Sequence, residues 1–180
     1  MIIGKRIRLR GIEREDIALF VPWLNDPEVY AHLTPREALS KAEEEQWFEK
    51  TLELPVEEHV LMIEIDSQEE WVPVGTIALM KIDWRNGSAE IGIFIGEKRF
   101  WNQGYGREAM QLLVRHGFCD LNLNRIFLRV DENNLRAIRS YERAGFIEEG
   151  RMRKARFKDN VYIDTVLMSV LHSEWQEKMD

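Results

Sequence analysis

The sequence predicts an α+β fold in three layers, in which one twisted, mostly antiparallel mixed sheet carries helices on both faces. The first observation is the order of the elements, which runs strand, helices, antiparallel strands, helix, strand, helix, strands. The second is that strands and helices do not alternate strictly from the start, as a doubly wound nucleotide fold requires. The 180 residues contain no repeat and no long linker, so we expect a single domain over residues 1–180.

The N-terminal third predicts one strand followed by two helices. Residues 5–10 alternate basic and apolar side chains, which is typical of a half-buried strand. Residues 15–24 have helical spacing, and this helix is expected to end ahead of a proline. Ser40 and Glu43 form a capping box, which predicts a second helix over residues 41–53.

The middle of the chain predicts three strands and a helix. Residues 59–65 and 72–82 have the composition of strands and are joined by a polar connection. The dipeptide Asn86-Gly87 is a strong hairpin signal that joins the second of them to a strand over 89–96. An apolar stripe at helical spacing then predicts a helix over about 104–120.

The C-terminal third predicts three more strands around one helix. Residues 125–131 alternate like a strand. Residues 135–144 are helical, and Gly145 is a suitable C-terminal cap. Two final strands are expected near 146–156 and 161–171.

Composition limits the classes of function. Hydrophobic residues make up 44% of the chain and charged residues 32%, which is typical of a globular protein. The net charge of −7 disfavours a nucleic-acid-binding surface and is compatible with an amine substrate or another cation. No apolar run has the length of a membrane span, and the N-terminus lacks a signal-peptide pattern. The sequence has one cysteine, Cys119, which excludes an internal disulfide framework, and we expect a cytoplasmic protein. We expect Cys119 itself to be a core residue of the helix over 104–120.

The strand over 89–96 has two glycines on one face. Gly92 and Gly96 share that face with Glu90 and Phe94, because side chains alternate along a strand. Two interpretations are open: the glycines leave room for a ligand along the strand, or they permit close packing within the protein. An extended ligand that contains amides could pair with the backbone as an added strand would.

The following helix begins at a glycine-rich segment that is suited to an anion. Gly104 and Gly106 let the backbone approach a ligand, and the unpaired N–H groups of the first helical turn favour negative charge. An ordinary strand–turn–helix connection would have the same pattern. The neighbouring strand favours a ligand with both amides and a pyrophosphate, and coenzyme A has both.

A second cluster lies at the predicted helix over 135–144. Asn134 stands where that helix begins, and Tyr141 lies seven residues on, hence on the same face. Taken alone, Asn134 is a helix cap and Tyr141 is a packed aromatic residue.

Together the two clusters resemble the GNAT superfamily of acetyl-CoA-dependent N-acetyltransferases. The segment Trp101–Gly106 (WNQGYG) matches the family's phosphate-loop pattern, Gln/Arg-x-x-Gly-x-Gly/Ala, except that Trp101 replaces Gln or Arg. Asn134, Tyr141 and the Gly145-Phe146 pair follow the family's later pattern, and residues 4–10 are similar as well. The chain is most similar to the branch that acetylates ribosomal proteins and spermidine.

The resemblance implies a role for each site residue. Backbone groups of Phe94, Ile95 and Gly96 would pair with the pantetheine arm of acetyl-CoA. Asn134 would hydrogen-bond the cofactor, and Tyr141 would stand near its sulfur, where a phenol can donate the proton that the leaving thiolate needs. The backbone N–H groups that would hold the pyrophosphate belong to Gln103, Gly104, Tyr105, Gly106 and Arg107.

Deprotonation of the incoming ammonium needs a base, and Glu90 is the candidate. Glu90 points to the same face as the proposed cofactor groove and could act directly or through water. The alternative is a solvated or hydrogen-bonded carboxylate without a catalytic role. The four histidines have no metal-ligand spacing, so no metal is expected.

The resemblance predicts direct acetyl transfer to a primary amine in a ternary complex. The alternatives are a non-catalytic acyl-CoA-binding regulatory module on the same fold, or a nucleotide-binding protein. The acceptor amine, bound by the first helices, is left open between a protein N-terminus, a polyamine and another small amine. Exposed apolar edge at residues 146–171 predicts a homodimer, unless residues 172–180 cover that edge within one chain.

Overall fold

The computed structural model describes residues 1–33 and 38–176. Within these residues the strands and helices follow in the order β1 (Ile2–Ile3), β2 (Ile7–Gly11), α1 (Ile17–Asn25), α2 (Pro27–Tyr30), α3 (Lys41–Leu52), β3 (Leu61–Asp66), β4 (Trp71–Asp83), β5 (Ser88–Ile95), α4 (Tyr105–Cys119), β6 (Arg125–Asp131), α5 (Leu135–Ala144), β7 (Ile147–Lys158), β8 (Val161–Leu171) and α6 (His172–Gln176).

The strands form one mixed sheet in the order β1-β2-β3-β4-β5-β6-β8-β7. Antiparallel pairing joins β1 to β2, β2 to β3, β3 to β4, β6 to β8 and β7 to β8. The pair β5–β6 is parallel, because α4 connects the two strands as a crossover. The predicted α+β fold with a mostly antiparallel mixed sheet is therefore confirmed.

The helix caps follow the local signals of the sequence. Ser40 and Glu43 make the predicted capping box at the start of α3. Gly145 ends α5 in the left-handed conformation, with φ 108°, which a residue with a side chain rarely adopts. Pro27 was expected only to follow a helix; in fact it also begins α2, where the side chain of Asp26 accepts the N–H of Glu28.

Internal contacts divide the chain into two compact units. The first comprises residues 1–78 and 93–109, and the second comprises residues 79–92 and 110–180, so β4, β5 and α4 contribute to both. The first unit has an aromatic core in which Phe20 of α1 packs against Trp23 and Phe48. In β2 of the same unit, Ile7 and Leu9 are fully buried, as the alternating pattern predicted.

The second unit has a core between α4 and β6. Ile126, Leu128 and Val130 are buried at alternate positions of β6. Gly117 of α4 permits a close approach, because a Cβ at this position would lie 2.7 Å from Ile126 Cδ1. Cys119 at the end of α4 is exposed, so its predicted place in the core was wrong: it lies outside the buried stripe of the helix.

Candidate functional site

The parallel pairing of β5 with β6 ends before either strand does. Its register runs from Ser88 opposite Arg125 to Glu90 opposite Phe127. Beyond Glu90, β5 continues to Ile95. The backbone groups on this edge of β5 therefore lie outside the ladder with β6, as an added extended ligand requires.

The two glycines of this segment serve close packing. A Cβ on Gly96 would lie 2.2 Å from Cδ2 of Trp23, and one on Gly92 would lie 2.8 Å from Cε of Met80. The protein's own side chains fill the space beside both residues. Of the two interpretations open from the sequence, the structure supports close packing at both glycines.

Backbone groups at the end of β5 already have partners within the first unit. The N–H of Gly96 donates to the carbonyl of Val74 at 2.8 Å. The indole N–H of Trp101 donates to the carbonyl of Ile95 at 2.9 Å, and the ring of Phe94 packs edge-on against Trp23. The amide of Gly96 and the carbonyl of Ile95 therefore belong to the protein's own hydrogen bonds.

The start of α4 has the geometry of an anion site. Gly104 has φ +84°, a left-handed conformation that favours glycine. The N–H of Glu108 donates to the carbonyl of Gly104 at 3.0 Å, so the N–H groups of Tyr105, Gly106 and Arg107 precede the first intrahelical bond. These groups fit a diphosphate without a metal.

One basic side chain at this helix start was missed by the sequence analysis. Arg6, just ahead of β2, places its guanidinium 4.5 Å from the centre of the Tyr105 ring. Its Nε donates to Glu108 Oε2 at 2.9 Å, and its Nη1 donates to the carbonyl of Gln103 at 3.3 Å. The alternating basic residues of the first strand were visible in the sequence, but nothing there indicated this partner.

The helix α5 carries Asn134 and Tyr141 in the second unit. The side chain of Asn134 accepts the N–H of Ala137 at 3.2 Å and so caps the helix. The half-buried Tyr141 packs against Phe146, with 6.2 Å between ring centres. Burial raises the pKa of Tyr141 to about 12, although the charge of Arg136 acts in the opposite direction. The phenol is therefore protonated at neutral pH.

Glu90 is a buried carboxylate that is held by two cations of the second unit. Arg129 donates through Nε and Nη2 at 2.8 and 2.9 Å, and Lys81 Nζ donates at 3.0 Å. Burial would raise the pKa of Glu90, but the hydrogen bonds from Lys81 and Arg129 outweigh it and leave the pKa lowered. The carboxylate is thus ionised, and both of its oxygens accept hydrogen bonds.

Among the residues that the structure describes, two kinds of feature are absent. No three His, Cys, Asp or Glu side chains come together as a metal site would require. No helix combines the length and the apolar character of a bilayer span.

Comparison with known proteins places this geometry in a family. Residues 6–147 match the acetyltransferase (GNAT) domain. An uncharacterised N-acetyltransferase, p20, from Bacillus licheniformis is 32% identical over 173 residues, which cover 95% of this chain and 96% of that protein. Spermidine N(1)-acetyltransferase from Vibrio cholerae serotype O1 is 26% identical over 99% of this chain and 100% of that protein.

A solved structure agrees with the sequence matches. The crystal structure of spermidine N-acetyltransferase from Vibrio cholerae in complex with CoA and spermine has a TM-score of 0.86 and 26% identity, and the match covers 96% of this chain and 99% of that chain. The fold and the glycine-started helix thus define the class of acyltransferases. The chain belongs to the GNAT acetyltransferase family and is an acetyl-CoA-dependent N-acetyltransferase.

Proposed function

We propose that this enzyme acetylates a primary amine of a polyamine such as spermidine. The observation that carries the proposal is the likeness, over nearly the whole of both chains, to spermidine N-acetyltransferases in sequence and in structure. That likeness includes the first helices, the region where we expect the acceptor to bind.

The charge of the chain supports a cationic acceptor. The net charge is −7 and the isoelectric point is about 5.3, which favours the approach of a polycation. Within α3, four glutamates stand against two lysines, in the segment KAEEEQWFEKTL. Of the aromatic residues in this region, Trp23 is buried in the core, while Trp47 keeps 36% of its surface exposed and is the better candidate to meet a ligand.

In this proposal the backbone holds the cofactor. The N–H groups of residues 103–107 bind the pyrophosphate, the edge of β5 at residues 94–96 pairs with the pantetheine arm, and Asn134 donates from its amide nitrogen. What supports the first role is the left-handed Gly104, together with the N–H groups of α4 that precede its first intrahelical bond. Acetyl-CoA itself supplies the activated acetyl thioester.

Tyr141 is proposed as the acid that protonates the departing thiolate of coenzyme A. Its raised pKa, about 12, keeps the proton in place until the sulfur gains negative charge. The amine must lose a proton before it attacks. Glu90 as the base for that step remains a prediction; its two cationic partners and lowered pKa favour the hydrogen-bonded, non-catalytic alternative.

We further propose a cytoplasmic homodimer. The support for the cytoplasm is the low cysteine content, a single Cys119. The support for the dimer is the exposed apolar surface of β7 and β8.

Steady-state turnover against a panel of amines tests the proposed acceptor. With acetyl-CoA at saturation, we expect kcat/KM for spermidine or spermine to exceed that for a peptide N-terminus, an aminoglycoside and an amino sugar. Tyr141→Phe on the same panel separates enzymatic from uncatalysed transfer. Equal rates for wild type and variant on every amine would contradict the proposed chemistry, and a peptide preference would contradict the polyamine.

A further inference from the structure

Arg6 contacts three residues around the start of α4. Its guanidinium donates to the carbonyl of Gln103 and to the carboxylate of Glu108, and it lies over the ring of Tyr105. These three residues enclose Gly104, and a Cβ on Gly104 would lie 3.5 Å from Arg6 Nη2. One side chain therefore spans the whole glycine-rich segment.

The backbone of Arg6 is fixed at both of its polar groups. Its N–H donates to Glu108 Oε1 at 2.9 Å. Its carbonyl accepts the N–H of Asp66, the last residue of β3, at 2.9 Å. Glu108 therefore receives one bond from the backbone and one from the side chain of the same residue. The segment is thus joined to β2 and β3 through Arg6.

The segment has contacts from its own side chains, but Gly104 has no side chain to fix its conformation. Trp101 gives its indole N–H to the Ile95 carbonyl, and Gln103 gives its side-chain amide to the carbonyl of Arg99. Gly104 holds a conformation that glycine leaves readily in a free chain. Contacts from Arg6 on both sides of Gly104 oppose that freedom.

The charge of Glu108 is a second reason why the segment needs Arg6. A carboxylate in the first turn stabilises a helix but repels a bound phosphate at the same place. The two bonds from Arg6 occupy both oxygens of this carboxylate, and the guanidinium balances its charge. Arg107, whose Nη2 would lie 3.6 Å from a Cβ on Gly104, then adds a positive charge beside the segment.

We propose that Arg6 is a positioning residue for the cofactor: it holds the Gln103–Glu108 segment in the shape that binds pyrophosphate and neutralises Glu108. The inference rests on the proposed cofactor site. It assigns to the first strand a part in cofactor affinity that the glycine pattern alone does not indicate.

Calorimetry with coenzyme A tests the proposal. We expect Arg6→Ala to weaken CoA binding about tenfold or more, because preorganisation by charged hydrogen bonds is lost. Arg6→Lys should recover part of the affinity. The matched control is Arg14→Ala, since Arg14 is also exposed, pairs with one carboxylate, Glu49, and lies over one ring, Phe48. Its CoA affinity should equal that of wild type.

Kinetics with a shortened donor separate positioning from a loss of fold. For Arg6→Ala the KM for acetyl-CoA should rise at nearly constant kcat. Its kcat/KM with S-acetylpantetheine, which lacks the pyrophosphate, should match that of wild type. An equal loss with both donors would mean that Arg6 only supports the fold, and would overturn the proposal.

Glu108→Gln distinguishes positioning from direct contact with phosphate. If Arg6 positions the segment through Glu108, this variant weakens CoA binding, because the charged hydrogen bonds that fix the segment are lost and this loss exceeds the relief of repulsion between Glu108 and phosphate. Unchanged or tighter binding would overturn the proposal, since it would mean that Glu108 does not hold Arg6 in place for the cofactor. Unchanged CoA affinity in Arg6→Ala, with wild type binding normally, would refute the inference and leave the cofactor site intact. A wild type that does not bind CoA would refute the cofactor site itself.

Discussion

The surroundings of Tyr141 in the second unit control the protonation of its phenol. Its pKa of about 12 lies above the ordinary value of 10.0, so the acid form persists as pH rises and is lost only near the raised value. We therefore expect Tyr141→Phe to lower kcat on the order of 10²-fold, with an unchanged Kd for acetyl-CoA. Stopped-time product assays and calorimetry measure the two quantities. A variant with wild-type turnover would make Tyr141 a packing residue.

The two glycines at the start of α4 differ in a way that makes them a matched pair. Gly104 has φ +84°, whereas a Cβ on Gly106 would make only ordinary contacts, 3.7 Å from Ile95 Cγ1. The left-handed conformation destabilises an alanine by roughly 1–2 kcal/mol. We expect Gly104→Ala to weaken CoA binding about tenfold and Gly106→Ala to leave it nearly unchanged, by calorimetry. Equal affinities, with both circular dichroism spectra intact, would contradict this account.

At the scale of the elements, local sequence signals predicted the helices and strands. They did not predict contacts between residues that are far apart in the chain. The bounds of β6, α5 and β8 follow from alternation and from caps, which are properties of neighbouring residues. The same holds for the capping box of α3. The prediction that Gly145 caps α5 was correct for the same reason.

The features that the sequence did not predict depend on partners far along the chain. The sequence around Gly96 does not indicate that Trp23, which lies 73 residues earlier in the chain, fills the space beside it. Arg6 gave no indication of Glu108, which is 102 residues away. For Glu90 the sequence indicated a face of the strand but not the two cations that hold it. The pattern thus located the candidate site, whereas its charge balance required the structure.

The packing of α1 on the end of β5 gives a stability prediction. A Cβ on Gly96 would lie within 2.6 Å of three atoms of the Trp23 ring, which is buried and cannot easily move. We expect Gly96→Ala to lower the free energy of unfolding by roughly 1–3 kcal/mol. Gly11→Ala is the control, because a Cβ there meets nothing within 4 Å. Urea titrations should show a lower midpoint for the first variant only; equal midpoints would disprove the close packing.

At the scale of the whole chain, the Glu149 carboxylate makes the free energy of unfolding depend on pH in the acid range. Hydrogen bonds from Arg125 lower the pKa of Glu149 from 4.5 to about 2; burial opposes them, and Ser169 adds a further bond. Because the folded pKa is depressed, this contribution is present above the unfolded pKa and is lost as pH falls from about 4.5 towards about 2. Glu149 is partly exposed, so solvent reduces the effect.

We accordingly expect Glu149→Gln to be less stable than wild type at pH 7 and to lose less stability on acidification. Chemical unfolding at neutral pH and at about pH 3 measures the difference. Glu142→Gln, an exposed charge removal on α5, controls for net charge and should keep the wild-type pH dependence. Parallel pH curves for wild type and Glu149→Gln would show that the Arg125 pair contributes nothing to folding.

The assembly prediction concerns the β7–β8 hairpin. β7 is the last strand in the sheet order, and large apolar side chains on the hairpin are about half exposed or more: Ile147, Met152, Phe157, Val161 and Tyr162. The alternative was that the C-terminal segment covers this edge. In the described part of that segment, Trp175 instead packs against Phe118 of α4, at 5.8 Å between ring centres.

We therefore expect a homodimer that buries this hairpin, because a monomer would leave these apolar side chains in water. Light scattering at micromolar concentration should give twice the chain mass of 21.4 kDa. Tyr162→Glu, which places a charge where 64% of the side chain is exposed, should shift the mass towards one chain. Val56→Glu, at an exposed apolar residue of the first unit, should remain a dimer. A wild-type mass of one chain would reject the dimer, and dissociation by Val56→Glu alone would place the interface elsewhere.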